Sequence, residues 1–151
     1  MAAPTTTVLV ADDETALLDL ATRVLRRQGH RVLPATSGEE AIRVFESSLE
    51  PIHVVILDLC LPDVDGVTVL RRLRTLRPNL GVVFASGHEK DELPEDLRTD
   101  DRVSFLQKPF RGRDLVEAVS SLLDGTRSDS SSLSSPMGRR SVPVASSGGC
   151  P

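Results

Sequence analysis

Short apolar runs alternate with amphipathic stretches along the first 125 residues of the chain. Five runs rich in aliphatic and β-branched residues predict buried strands, at residues 7–11, 30–35, 52–58, 80–85 and 103–107. Apolar residues at helical spacing predict a helix after each strand, and the fourth, at residues 91–98, is the weakest because Pro94 lies near its start. This alternation predicts an α/β fold, a parallel sheet with helices on both of its faces.

Several short signals set the boundaries of these elements. Ser37 and Glu40 have the spacing of a capping box and predict the start of the second helix. Asp65 and Gly66 open the third helix, and Gly125 is expected to end the fifth. Residues 126–151 hold nine serines and three prolines and few large apolar groups, so they cannot bury enough surface to order themselves. The sequence therefore predicts a folded domain at residues 1–125 and a disordered tail at residues 126–151.

Composition argues against nucleic acid and membrane as partners. The net charge is −4 and aromatic residues make up 3% of the chain, so neither a basic face nor a base-stacking surface is indicated. The outward arginines of the third helix favour a solvated face with acidic neighbours over a nucleic-acid patch. No signal-peptide pattern opens the chain, and no apolar stretch approaches the roughly 18 residues that span a bilayer. We expect a cytoplasmic protein.

Polar side chains follow four of the predicted strands. Asp12 and Asp13 follow the first strand, Asp58 ends the third, Ser86 follows the fourth and Lys108 follows the fifth. Right-handed crossovers bring the carboxyl ends of parallel strands to one edge of the sheet, so these side chains should meet there.

The chemistry of this group of side chains favours a metal ion and a phosphoryl group. Three carboxylates that meet in one place repel one another, and they stay ionised together when a cation joins them. Oxygen ligands without a histidine or cysteine cluster favour Mg²⁺ over Zn²⁺. A hydroxyl and an ammonium group nearby suit the oxygens of a transferred phosphoryl group. The residues alone therefore predict metal-assisted phosphoryl transfer to or from Asp58.

The same motifs, in this order, resemble the receiver domain of two-component response regulators. The resemblance covers roughly residues 8–124 and depends on Asp12-Asp13, Leu57-Asp58, Leu61-Pro62-Asp63-Val64-Asp65-Gly66, Ser86-Gly87 and Lys108-Pro109-Phe110. It implies a flavodoxin-like (CheY-like), doubly wound, five-stranded parallel sheet of strand order 2-1-3-4-5 with five helices. It also implies a phosphorelay in which Asp58 accepts a phosphoryl group from a sensor histidine kinase or a histidine phosphotransfer protein.

The resemblance also implies a set of Mg²⁺ ligands. Asp13 and Asp58 would bind the ion directly, and Asp12 would bind it through water. The backbone carbonyl of Cys60, two positions after the phosphoacceptor, would be a further ligand.

Roles in binding the phosphoryl group and in switching follow from the same resemblance. Ser86 would donate its hydroxyl to the phosphoryl group and Lys108 would pair with it, with a cis peptide bond between Lys108 and Pro109. Phosphorylation would draw the Ser86 hydroxyl inward, and Phe105 would rotate into the vacated space. The surface that contacts an unknown downstream protein would then change shape. His88 and Cys60 either tune the lifetime of the phosphoryl group or fill surface loops.

Three hypotheses for function remain. The favoured one is a phosphorylation-dependent signalling module, either a single-domain response regulator or a separated receiver of a hybrid kinase, which is not a turnover enzyme. A phosphatase with an aspartyl-phosphate intermediate is disfavoured because such enzymes usually need a second acid two positions on, where this chain has Cys60. A phosphorylation-independent binding module is disfavoured because the polar residues of the site are all present.

Overall fold

Each of the five apolar runs forms a strand in the computed structural model, which describes residues 6–87 and 93–127. Aliphatic and β-branched side chains suit an extended backbone packed on both faces, and amphipathic stretches suit helices that cover a sheet. In chain order the elements are β1 (Thr7–Ala11), α1 (Thr15–Arg27), β2 (Arg31–Ala35), α2 (Gly38–Ser47), β3 (Val54–Asp58), α3 (Gly66–Leu76), β4 (Gly81–Ser86), α4 (Glu95–Arg98), β5 (Val103–Gln107) and α5 (Gly112–Arg127).

The sheet is parallel and has the order β2-β1-β3-β4-β5, which confirms the predicted fold. Every residue of β1, β3 and β4 is buried, because these strands lie inside the sheet and helices cover both faces. The two edge strands are more exposed. Pro34 lies in β2, where the lack of a backbone N–H is tolerated at an edge.

Successive residues of the inner strands face opposite sides of the sheet, which divides the core into two clusters. One cluster contains Leu9, Leu57 and Phe84 and packs against α2, α3 and α4. The other contains Val10, Ile56 and Val83, each one position along its strand from a residue of the first cluster. This second cluster packs against α1 and α5. Because both faces are covered, the sheet's polar groups gather at its ends.

Side chains cap two helices at the starts that the sequence predicted for them. Ser37 Oγ accepts a hydrogen bond from the backbone N–H of Glu40 at the start of α2. The Glu40 carboxylate accepts from the N–H and the hydroxyl of Thr36, one residue earlier than a capping box requires. These hydrogen bonds from Thr36, with the N–H as the larger cause, lower the pKa of Glu40. Asp65 caps α3 by accepting from the N–H of Thr68.

Two predicted helix boundaries differ from the structure. The prediction that Gly125 ends the fifth helix is wrong, since α5 continues through it to Arg127. A glycine weakens a helix by about 1 kcal/mol relative to alanine, but it ends the helix only where it adopts a left-handed conformation. Within the described residues, α4 is one turn long and Pro94 is its N-cap, while residues 91 and 92 lie outside the description. Most of the predicted tail, from residue 128 onward, also lies outside it.

The outward face of α3 carries arginines paired with acidic neighbours. Arg71 pairs with Asp96 of α4 at 3.1 Å, and both side chains are largely exposed. Arg74 pairs with Asp100 at 2.7 Å and is mostly buried, because its guanidinium also donates to the carbonyl of Leu80. Both arginines therefore have the acidic partners that were predicted. Arg71 is solvated as expected, whereas Arg74 is mostly buried and the prediction of a solvated side chain is wrong for it.

No helix among the described residues is both long enough and apolar enough to cross a membrane.

Candidate functional site

The carboxyl ends of β1 and β3 bring two acidic side chains side by side. These strands pair in register up to Ala11 and Leu57, so Asp12 and Asp58 are the next residues in line. Both are buried, whereas the neighbouring Asp13 is exposed. Carboxylate oxygens of these three residues all lie within 4.8 Å of one another. The structure thus gathers the three predicted metal ligands at one edge of the sheet.

The ammonium group of Lys108 joins this cluster from the loop after β5. Its Nζ lies 3.2 Å from Asp12 Oδ2 and 3.3 Å from Asp58 Oδ2. The backbone N–H of Lys108 donates to the carbonyl of Ser86 at 2.7 Å, and the following peptide bond to Pro109 is cis, as predicted. Burial acts to lower the pKa of Lys108, but the charges of Asp12 and then Asp58 outweigh it and raise that pKa. Lys108 therefore stays an ammonium beside the two carboxylates at neutral pH.

The surroundings of Asp12 disfavour its charged form relative to that of an exposed carboxyl group, and its pKa is raised. Burial is the largest cause that raises its pKa, and the charge of Asp58 adds to it. The N–H of Glu14, which donates to Asp12 Oδ1 at 2.9 Å, and the charge of Lys108 act in the opposite direction. Within this cluster of three carboxylates, the Lys108 ammonium pairs with two, those of Asp12 and Asp58. An oxygen-rich, electron-rich cluster of this kind fits a hard divalent cation such as Mg²⁺.

The Asp58 carboxylate is held by its own loop as well as by Lys108. Its Oδ1 accepts the backbone N–H of Cys60 at 3.1 Å, while Oδ2 faces the Lys108 ammonium. The start of this loop is tied to β4, because the N–H of Leu59 donates to the Ala85 carbonyl. Cys60 therefore lies directly beside the carboxylate, in the loop where the resemblance places a carbonyl ligand.

The remaining predicted site residues lie on the two strands beyond β3. Ser86 is the last residue of β4 and is buried, one position past Ala85, the partner of Asp58 in the sheet. Phe105 is opposite Phe84 in the pairing of β4 and β5, and it is partly buried against the cluster that includes α4. His88 lies outside the described residues. Ser86 thus borders the carboxylate cluster, and Phe105 lies on the edge strand one strand further out.

The contacts of two residues were not predicted from the sequence. One is Glu14, which contacts Lys108, and the other is Asp63, which lies in the loop after β3. Glu14 Oε1 lies 3.4 Å from Lys108 Nζ, and its position directly after the Asp12-Asp13 pair was a signal for it. Asp63 accepts the backbone N–H groups of Gly38 and Glu39 at the start of α2. No local pattern indicates that contact, because its partners lie 25 and 24 residues away in the chain.

Comparison with known families agrees with this geometry. The family model described as the response regulator receiver domain matches residues 8–120, which include the two strand-end aspartates, Ser86 and Lys108. That range covers every strand of the sheet except the first residue of β1.

Two curated relatives are longer than this chain. The sensor kinase CckA of Brucella abortus (strain 2308) is 35% identical over 118 residues, which cover 78% of this chain and 12% of CckA. The transcriptional regulatory protein CssR of Bacillus subtilis (strain 168) is 33% identical over 120 residues, which cover 78% of this chain and 51% of CssR. The chain thus spans about half of one relative and a small part of the other.

Solved structures share both the fold and part of the sequence. A response regulator receiver protein from Sinorhizobium medicae WSM419 superimposes with a TM-score of 0.71 and 34% identity, covering 80% of this chain and 95% of that one. The receiver domain of the hybrid histidine kinase CckA gives a TM-score of 0.65 and 34% identity, covering 77% of this chain and 98% of that one.

Proposed function

The chain belongs to the response regulator receiver domain family of two-component systems, and on that premise we propose that Asp58 is the phosphoacceptor of a phosphorelay. The donor is a phosphohistidine of a sensor histidine kinase or of a histidine phosphotransfer protein. The observation that carries the proposal is the position of the Lys108 ammonium, which faces Asp58 and Asp12 at the end of the sheet. A carboxylate placed beside a cation in a loop-lined edge is suited to take up and hold a phosphoryl group.

The proposed transfer replaces a nitrogen–phosphorus bond with an oxygen–phosphorus bond. A carboxylate oxygen of Asp58 attacks the phosphorus atom as the bond to the donor imidazole breaks. The electron pair of that bond stays on the imidazole nitrogen, which is protonated by solvent. The signal ends by hydrolysis: a water oxygen bonds to phosphorus as the bond from phosphorus to the Asp58 oxygen breaks, the electron pair stays on the Asp58 carboxylate, and inorganic phosphate and a proton pass to solvent. Both steps occur on the protein itself, so the chain is a signalling module and not a turnover enzyme.

Asp13, Asp58 and the Cys60 backbone carbonyl are the proposed direct ligands of Mg²⁺, with Asp12 binding through water. When bound, the ion supplies positive charge for the oxygens of the phosphoryl group. The fit is supported by the three carboxylates within 4.8 Å of one another and by their oxygen-only donor set.

Lys108 and Ser86 are the proposed partners of the phosphoryl oxygens once transfer has occurred. Lys108 already lies within 3.3 Å of the Asp58 carboxylate, so a small movement lets it follow the transferred charge. Ser86 and Phe105 form the proposed switch, in which the hydroxyl moves toward the phosphoryl group and the ring rotates. Phe105 is only partly buried and lies on an edge strand, which leaves it room to turn. The altered surface then contacts a downstream protein.

The cellular setting and the domain limits are also proposals. A receiver that takes a phosphoryl group from a kinase or phosphotransfer protein is proposed to act in the cytoplasm. Residues 1–125 form the proposed receiver domain, and the Ser-rich segment from residue 126 is proposed to be a tail without a core of its own.

Treatment of the full chain with acetyl phosphate tests this function. Intact mass is measured with Mg²⁺, with excess chelator and for Asp58→Ala. We expect one base-labile phosphoryl group on the native chain in the presence of Mg²⁺, and none under the other two conditions. Steady turnover of a phosphorylated metabolite, which is not a small phosphodonor such as acetyl phosphate, would instead identify an aspartyl-phosphate phosphatase. No incorporation, together with no Mg²⁺-dependent response to beryllofluoride, would leave a binding module that keeps only the fold.

A further inference from the structure

Asp63, in the middle of the loop between β3 and α3, ties that loop to a different helix. Its Oδ1 accepts the backbone N–H of Gly38 at 2.8 Å, and its Oδ2 accepts the N–H of Glu39 at 3.0 Å. These donors belong to the first turn of α2, where backbone N–H groups have no partner within the helix. Oδ1 also accepts the N–H of Val64 at 2.9 Å, so the Asp63 carboxylate joins the loop's own backbone to the start of α2.

The contact between the loop and α2 is also close in its backbone. A Cβ atom on Gly38 would lie 3.0 Å from Val64 Cβ and 3.2 Å from the Val64 carbonyl oxygen. Gly38 thus allows the helix to begin directly against the residue that follows Asp63. The hydrogen bonds and the close approach both fix this part of the loop against the start of α2.

This part of the loop lies three residues after Cys60, whose carbonyl is a proposed Mg²⁺ ligand. The loop is held at its start by the N–H of Cys60 on Asp58, and at its end by Asp65, which caps α3. Asp63 supplies the polar tether between those two ends. A backbone ligand has no side chain of its own to adjust, so its position depends on how firmly the loop is held.

We propose that Asp63 is a positioning residue for the phosphorylation site, and that its hydrogen bonds to α2 place the Cys60 carbonyl for Mg²⁺ binding. The inference rests on the proposed function, because it assumes that this carbonyl is a ligand. The start of α2 then supports the metal site through the loop that carries the Cys60 carbonyl, although no residue of α2 reaches the carboxylates named as ligands.

Isothermal titration of the full chain with MgCl₂ tests the proposal without any phosphoryl transfer. Asp63→Ala is expected to weaken Mg²⁺ binding roughly tenfold, at the low end of what the loss of a group supporting a ligand usually costs. Ser37→Ala is the matched control, because it removes the other cap of α2 and leaves the loop untouched. Ser37→Ala should change the dissociation constant for Mg²⁺ less than about twofold. That result would exclude the loss of a helix cap as the cause of the effect of Asp63→Ala.

Two further variants separate position from charge. Asp63→Asn keeps one acceptor oxygen and loses the charge, and its Mg²⁺ affinity should lie between those of the native chain and Asp63→Ala. Gly38→Ala keeps the charge but pushes the loop away from α2, and it should weaken binding as well. If Asp63→Ala does not fold, as judged by circular dichroism, these two variants carry the comparison.

The outcomes distinguish this inference from the proposed function. If the native chain binds Mg²⁺ and Asp63→Ala binds it equally well, or Ser37→Ala weakens it equally, the positioning role is wrong and the proposed function stands. The role is also wrong if Asp63→Asn matches Asp63→Ala while Gly38→Ala has no effect, because charge alone would then explain the result. If the native chain does not bind Mg²⁺, the proposed function is wrong and this inference falls with it.

Discussion

Gly66 lies directly against the backbone of Asp58. A Cβ atom at position 66 would be 2.6 Å from the Asp58 carbonyl oxygen and 3.1 Å from the Cα of Leu59. The N–H of Gly66 also donates to the Leu59 carbonyl at 2.9 Å. The first residue of α3 therefore closes the loop onto the strand end that carries Asp58, the proposed phosphoacceptor.

Gly66→Ala is expected to destabilise the domain and to disturb the site. The added methyl group meets backbone atoms, which cannot move aside as a flexible side chain can, so we expect a loss of about 1–3 kcal/mol in the free energy of unfolding. Urea denaturation of the full chain measures it. Gly87→Ala is the control, because a Cβ there has nothing within 4 Å. Equal stability of the two variants would contradict the close approach.

Lys108→Met should affect metal binding and phosphorylation in opposite directions. The ammonium partly neutralises Asp12 and Asp58, so its removal leaves more negative charge for Mg²⁺, and affinity should rise roughly three- to tenfold. Phosphorylation should slow, since a positive partner of the phosphoryl group is lost. Arg72→Met removes an exposed cation on α3 and should change neither quantity. Weaker Mg²⁺ binding by Lys108→Met would contradict the electrostatic account of the cluster.

Two arginines of α3 should differ in their effect on stability. Arg74→Ala removes the partner of Asp100 and the donors to the Leu80 carbonyl in a mostly buried setting, and we expect a loss of about 2 kcal/mol. Arg71→Ala removes an exposed ion pair and should leave stability nearly unchanged. Thermal and urea denaturation of both variants make the comparison. A larger loss of stability for Arg71→Ala than for Arg74→Ala would show that burial does not strengthen the contacts of Arg74.

The contribution of Asp63 to stability should depend on pH. Hydrogen bonds from the backbone N–H groups, that of Glu39 first, lower the pKa of Asp63 below its ordinary value of 3.8. A lowered pKa in the folded state means that the carboxylate stabilises the fold above pH 3.8 and that this contribution is lost as the pH falls through the folded-state pKa. Because the group is exposed and screened, we expect about 0.5–1 kcal/mol at pH 7.

Urea denaturation of the native chain and of Asp63→Ala from neutral to acidic pH measures this contribution as a difference. The difference should shrink as the pH falls below 3.8, whereas the difference for Ser37→Ala should stay constant because a hydroxyl cap carries no charge. A difference for Asp63→Ala that grows toward low pH would have the wrong sign for a lowered pKa.

Much of the fold follows from the sequence because its signals are local. Apolar runs such as residues 7–11 and 103–107 match the observed strands at both ends, and Ser37 and Asp65 cap the helices that they were expected to open. Periodicity was less reliable at helix ends. Leu76 shares the helical spacing of the buried residues Leu70 and Leu73 but is 56% exposed, because it is the last residue of α3.

The candidate site also has one part that the sequence predicts and one part that it does not. Residues that end strands, such as Asp58 and Ser86, could be placed together from topology alone, because parallel strands share one edge. Contacts between distant segments could not be foreseen. Asp63 meets α2, and Arg74 meets Asp100, only because segments distant in the chain pack against one another in the folded domain. Sequence spacing carries no information on such pairs.

We expect Asp58 to take a phosphoryl group from a nitrogen–phosphorus donor. Phosphoramidate with Mg²⁺, followed by proteolysis and mass spectrometry, tests it most directly, with Asp58→Ala and the exposed-residue control Asp19→Ala treated in parallel. We expect a single phosphoryl group on the peptide that contains Asp58 in the native chain and in Asp19→Ala, and none in Asp58→Ala. Equal phosphorylation of Asp58→Ala, or a phosphoryl group on any other peptide of the native chain, would contradict the account.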